Sequence, residues 1–192
     1  MACAGKTAAF LAASLAGALA SPAADLEEKL APCLACHAAQ GQSETEDVPS
    51  LGAQPMSYTV IQLFMFREKI RVAGPMNEMT KELGDNDLQS IADFIAKQAP
   101  PKPLADPGDP TRRQRAQALL EQNHCNVCHR ADFSGRDNVP RLADQREDYL
   151  LKTLREYKSG ARRGYDASMA EVLQPVDDAQ LIEFAYYLAR LR

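Results

Sequence analysis

Cys33-Leu-Ala-Cys36-His37 and Cys125-Asn-Val-Cys128-His129 are two copies of one five-residue pattern. Two thiols spaced by two residues can form thioethers to the two vinyl groups of one porphyrin, and the adjacent imidazole then reaches the iron as its proximal ligand. The pattern predicts two covalently bound haem c groups. Cys33 and Cys36 would attach one, Cys125 and Cys128 the other, with His37 and His129 as axial ligands. A zinc ribbon places its cysteine pairs about 15–20 residues apart, whereas 88 residues separate Cys36 from Cys125. A redox dithiol of the thioredoxin kind needs a βαβ setting, and no alternating β-branched run supplies one.

The remaining soft ligands narrow the iron chemistry. Four of the five cysteines belong to the motifs and the fifth, Cys3, lies at the extreme N-terminus, so no thiol is left for a disulfide, a structural zinc or a catalytic nucleophile. Three histidines, His37, His124 and His129, are too few for two bis-histidine irons. His124, one residue before its own motif, reads as an ordinary polar residue near the haem edge. Methionine thioether is the next natural ligand and suits low-spin iron. Met169 is the only methionine after residue 79 and stands seven residues before Val176; Met76 stands seven before Leu83, the matching position of the first half. Met76 and Met169 are therefore the expected sixth ligands. Met79 fits the spacing less well, and Met56 and Met65 read as filler in or beside a helix.

The elements that must hold these groups come in duplicate. Val48, Pro49, Leu51, Gln54 and Tyr58 map onto Val139, Pro140, Leu142, Gln145 and Tyr149 with an offset of 91, and Leu88, Ile91 and Ile95 map onto Leu181, Phe184 and Leu188 with an offset of 93. An internal repeat of this length predicts two tandem units. Five of the twelve prolines fall in 100–110, a stretch that cannot continue a helix and favours extended chain. The expected organisation is a leader over 1–20, domains over 21–99 and 111–192, and a Pro-rich linker over 100–110. Each half reads as helical. Asp109 caps a helix beginning at Pro110 and reaching about Asn123. Its counterpart in the first half is shorter, roughly Leu26 to Ala31. Middle helices are expected near Tyr58–Arg71 and Tyr149–Ser159, with Asp148 as a candidate cap, and last helices after Asp85 and Asp177 whose apolar residues share one face.

Lys6 followed by an apolar stretch from Thr7 to Leu19 reads as an export signal cleaved near Ala20, too short for an ordinary transmembrane helix. Residues 21–100 carry 12 acidic and 6 basic side chains, and residues 101–192 carry 14 and 15, so the halves differ in net charge by −6 against +1. Such a dipole can steer encounters with charged redox proteins. The Arg112, Arg113 and Arg115 cluster lacks interleaved aromatics, so no nucleic-acid partner is expected. Aromatics make up 6% of the chain and tryptophan is absent, so a buried haem would supply apolar mass that each small half lacks.

On both Cys-x-x-Cys-His motifs, the Pro49/Leu51/Gln54/Tyr58 and Pro140/Leu142/Gln145/Tyr149 blocks and the methionines ahead of the last helices, the chain resembles dihaem class I cytochromes c of the cytochrome c4 type. The resemblance spans essentially the whole mature chain, although Ala53 and Asp144 stand where the family usually has glycine. It implies an all-α fold of two tandem cytochrome c-like domains related by internal duplication and a pseudo-twofold axis. It implies His/Met coordination of both irons and periplasmic single-electron transfer between respiratory partners, a quinol-oxidising complex or dehydrogenase as donor and a terminal oxidase or reductase as acceptor. Peripheral membrane association is compatible with that role. An iron with both axial positions filled by protein has no open site for substrate, so an enzyme is not expected. The alternative reading is the cytochrome subunit of a periplasmic dehydrogenase, such as a flavoprotein sulfide dehydrogenase.

Overall fold

Helices are the only extended regular elements among the described residues, beside one isolated bridge between Arg136 and Val139. The computed structural model describes Met1, residues 22–165 and residues 167–191. The leader expected over 1–20, apart from Met1, lies outside the described residues, as does Cys3.

The first half holds α1 (Pro22–His37), α2 (Met56–Arg67), α3 (Gly74–Thr80) and α4 (Asp85–Lys97); the second holds α5 (Pro110–Gln122), α6 (Cys125–His129), α7 (Glu147–Ser159), α8 (Ser168–Leu173) and α9 (Asp178–Leu188). In the first half α2 packs on α3 and α4, and α1 on α4; in the second α9 packs on α5 and α7, α7 on α8, and α5 on α6. Two separate cores result. Leu30, Leu63, Leu88, Ile91 and Ile95 form one, and Ala116, Leu120, Leu150, Leu173, Leu181, Phe184 and Leu188 are central to the other. The apolar faces of α4 and α9 are both buried, as their spacing requires. Full burial of one such side chain contributes about 1.5–3 kcal/mol.

Local chemistry sets the helix ends. The Asp109 carboxylate accepts from Arg112 N–H at 2.6 Å, with Pro110 at the first helical position. Asp177 accepts from Gln180 N–H at 2.8 Å while the Gln180 side chain accepts from Asp177 N–H at 3.1 Å, a reciprocal cap. Two expectations are corrected. Asp148 is not the cap of α7: Arg146 holds that position, and Asp148 inside the first turn accepts from the Arg146 guanidinium at 2.6 and 3.0 Å. The helix before the first motif is not short, for α1 runs 16 residues through Cys33, Cys36 and His37. In the second half the chain breaks at His124, which has φ 55°, before α6 begins. The position equivalent to His124 is Pro32, whose ring holds φ near −65° and forbids that left-handed break, so α1 continues.

The two middle helices end alike. Lys69 (φ 56°) and Gly160 (φ 75°) turn left-handed, and the N–H groups two residues on, at Arg71 and Arg162, donate back to Met65 O and Glu156 O at 3.0 Å each. This pair of turns delivers two arginines to the boundary between the halves.

That boundary is polar and reciprocal. Gln54 donates to Arg141 O at 2.9 Å and accepts from Arg141 N–H at 3.0 Å; Gln145 donates to Ser50 O and accepts from Ser50 N–H, both at 2.8 Å. Ser50 and Arg141 are themselves related by the offset of 91. The Pro-rich stretch lies against the second half: Leu104 N–H donates to Ala189 O at 3.0 Å and Asp109 N–H to the Tyr186 hydroxyl at 2.6 Å. Gly108 has φ +72°, and a Cβ there would stand 2.1 Å from the Tyr186 hydroxyl, so only glycine passes.

Candidate haem sites

The first motif closes α1 and the second makes up the whole of α6, each with one cysteine partly buried and the other exposed. Cys33 and Cys125 are partly buried, and Cys36 and Cys128 are exposed. Burial pushes the thiol of Cys33 up and that of Cys125 up to about 11. A redox dithiol is instead marked by a depressed thiol pKa, so the environment fits attachment better than thiol exchange. Among the described residues no group of three or more His, Cys, Asp and Glu could hold a metal ion, and the two cysteine pairs are not brought together as a zinc site.

The motif histidines are buried and oriented identically. His37 is 6% exposed and His129 4%. His37 Nδ1 lies 2.8 Å from Pro49 O, and His129 Nδ1 lies 2.9 Å from Pro140 O. A carbonyl can only accept, so Nδ1 must carry the proton in both rings and Nε2 keeps its lone pair for a metal. Burial lowers both histidine pKa values, with the proline carbonyls opposing it, which keeps the imidazoles neutral as ligands must be.

Met76 sits on α3 and Met169 on α8, each partly buried against the core of its own half. Asn77 pins α3 by donating to Phe66 O at 2.6 Å and Arg71 O at 2.9 Å and accepting from Ala73 N–H at 2.8 Å. Lys158 pins α8 by donating to Leu173 O at 3.1 Å and Gln174 O at 2.8 Å. The other methionines divide as follows: Met65 is core at 2% exposure, Met79 is exposed at 45%, and Met56, expected as filler, is exposed at 40% at the start of α2. His124 is exposed.

These residues fit a large, mostly apolar cofactor with anionic edges. Leu26, Leu34, Leu51, Met76, Leu83 and Phe94 line the first core without being fully covered. At the boundary, Arg162 is 5% exposed and donates to Tyr58, Tyr149, Gln62 and Thr153, while its Nε has no partner. Arg71 donates to Gln62 at 2.7 Å and to Tyr149 at 3.2 Å. Among the described residues none of these acceptors is a carboxylate, and haem propionates would supply a countercharge. Burial pushes the Tyr149 hydroxyl up, but Arg162 and Arg71 outweigh it and draw the pKa down.

Sequence reasoning missed this arginine pair and the roles of Gln54 and Gln145. The offset of 91 does align Arg71 with Arg162 and was the available signal.

The family described as Cytochrome c matches residues 114–192. The chain is 30% identical over 171 residues to cytochrome c4 of Thiocapsa roseopersicina, covering 83% of this chain and 86% of that protein. It is 29% identical over 193 residues to the thiosulfate dehydrogenase electron acceptor of Thiomonas intermedia, covering 93% and 89%. The crystal structure of reduced recombinant cytochrome c4 from Pseudomonas stutzeri superposes with a TM-score of 0.78 at 24% identity, covering 90% of this chain and all of that one.

Proposed function

Because the chain belongs to the cytochrome c4 family of dihaem electron-transfer cytochromes, we propose that it is an exported periplasmic carrier of single electrons between respiratory partners. Its domains are residues 21–99 and 111–192, joined by 100–110. Cys33, Cys36, Cys125 and Cys128 would hold the haems, and His37 with Met76 and His129 with Met169 would ligate the irons.

The observation that carries this reading is the matched pair of buried histidines, each locked by a proline carbonyl with Nε2 free, each in a half that presents one partly buried methionine on its core. When bound, haem c supplies reversible one-electron exchange between ferric and ferrous iron. The chain does the rest. The proline carbonyls fix the imidazole tautomer, α3 and α8 hold the thioethers, and the two cores exclude water. With His37, Met76, His129 and Met169 all on iron, no site would be left for substrate, and the chain would act as a carrier rather than an enzyme. Among the described residues no helix is long and apolar enough to cross a membrane. Export is supported by Lys6 and the apolar stretch after it.

Carbon monoxide tests the reading. The reduced protein at neutral pH is expected to give no carbon monoxide difference spectrum; stoichiometric binding at either haem would refute saturated ligation.

A second reading has its own support. The similarity to a protein named as a thiosulfate dehydrogenase electron acceptor favours a dehydrogenase as donor. Reduction of the oxidised cytochrome by a co-purifying periplasmic dehydrogenase, at a rate exceeding that with a quinol-oxidising complex, would select it.

A further inference from the structure

Pro49 C=O and Ser50 N–H belong to one peptide group. Its carbonyl accepts from His37 Nδ1 at 2.8 Å, and its N–H donates to Gln145 Oε1, also at 2.8 Å. The mirror image holds in the other half: Pro140 C=O accepts from His129 Nδ1 at 2.9 Å, and Arg141 N–H of the same peptide donates to Gln54 Oε1 at 3.0 Å. Each glutamine also donates to the next carbonyl, Ser50 O or Arg141 O, so each holds one residue by both its N–H and its C=O and fixes the orientation of the peptide before it. Gln54 is 6% exposed, Gln145 4% and Ser50 1%, so water does not compete for these bonds.

We infer that Gln54 and Gln145 are positioning residues that act crosswise, each setting the electron affinity of the iron bound in the opposite half. The inference rests on His37 and His129 being iron ligands. Hydrogen bonds in series polarise one another in a low-dielectric interior. A peptide whose N–H is engaged presents a more basic carbonyl, which draws the Nδ1 proton and makes the imidazole a stronger donor to the metal. A stronger donor favours ferric iron. Docking of the halves therefore lowers both potentials through two peptides, and neither half alone would show its full value. A glutamine that merely glued the halves together would leave no reason for the effect to cross over.

The test is a redox titration of the holoprotein followed by paramagnetic NMR, in which haem-methyl resonances report each haem separately. Gln145→Leu is expected to raise the potential of the haem on Cys33 and Cys36, increasing its ferrous-to-ferric ratio at fixed potential by about tenfold at most, equivalent to 59 mV. The haem on Cys125 and Cys128 stays unmoved. Gln54→Leu gives the mirror result. Gln145→Glu keeps an acceptor on Ser50 N–H with added negative charge and moves the first haem the other way, and it decides the matter should the leucine variant not yield holoprotein. Shifts confined to the haem of the substituted half, equal shifts at both haems, or none overturn the inference. The spectrum of the unaltered protein separates the two levels. A low-spin spectrum with the near-infrared sulfur-to-iron band alongside unmoved potentials refutes only the crossed relay. Absence of those features in the parent protein refutes the ligand assignment beneath it.

Discussion

Arg71 and Arg162, one from each half, aim their guanidinium groups at a single acceptor, the Tyr149 hydroxyl, each at 3.2 Å. Two like charges converge where the backbone repeats, because the left-handed turns at Lys69 and Gly160 place both arginines at the boundary. Arg162 reaches the furthest, donating also to Tyr58 and Gln62 of the first half at 3.2 Å. Arg162→Leu removes its donations to Tyr58, Tyr149, Gln62 and Thr153, leaving Tyr149 and Gln62 to Arg71 alone, and is expected to cost about 2–4 kcal/mol. Thermal unfolding should divide into two transitions as the halves lose their shared network. A single unshifted transition would show that the network does not couple them.

The proposed methionine ligation predicts a selective change. Met169→His replaces a soft thioether by a stronger donor and should lower the potential of the C-terminal haem by well over the 59 mV of one tenfold step. The N-terminal haem, with Met76 on its own helix α3, should stay close to its original value. An unchanged potentiometric titration would show that Met169 is not the ligand.

Asp144 stands in the left-handed region at φ 60°, and its counterpart Ala53 does so at φ 53°. This explains why glycine is usual there in the family that the chain resembles. Burial pushes the Asp144 carboxyl up to about 6, with Arg141 opposing it, and one carboxylate oxygen has no partner. A carboxyl raised in the folded state favours folding below its unfolded pKa, and that contribution is lost as pH rises toward 6. Asp144→Gly should therefore stabilise the protein at pH 7 by about 1–2 kcal/mol after allowance for solvent screening. The gain should shrink as pH is lowered to 4. Urea unfolding midpoints of both proteins at the two pH values check the sign; a gain that grows on acidification contradicts it.

The motifs, the duplication and the faces of α4 and α9 were legible because each is a one-dimensional pattern. The continuous α1 was not, since it depends on Pro32 forbidding a turn that His124 permits in the other copy. Asp148 looked like a cap because acidic residues favour that position, yet Arg146, two residues earlier, captures its carboxylate instead. Gln54 and Gln145 were visible as repeated letters, but their role requires knowing that each touches the opposite half. No periodicity within one domain carries that information.

Small halves with few aromatics should depend on their cofactor for stability. Replacing Cys33, Cys36, Cys125 and Cys128 by alanine should prevent haem attachment and leave a chain without cooperative unfolding. Phe184, 1% exposed at the centre of the second core, tests the same core in the holoprotein, where Phe184→Ala should cost about 3–5 kcal/mol. Differential scanning calorimetry distinguishes these cases; a sharp endotherm from the cysteine-free chain would show that the cores suffice alone.

Two irons, each saturated by one imidazole and one thioether from this chain, are what the proposed function requires. Near-infrared magnetic circular dichroism of the oxidised protein, calibrated against a pyridine haemochrome count, measures this directly. Two covalent haems per chain are expected, both low-spin and both contributing a sulfur-to-iron band. One haem per chain, a high-spin centre, or a band worth a single methionine would contradict it.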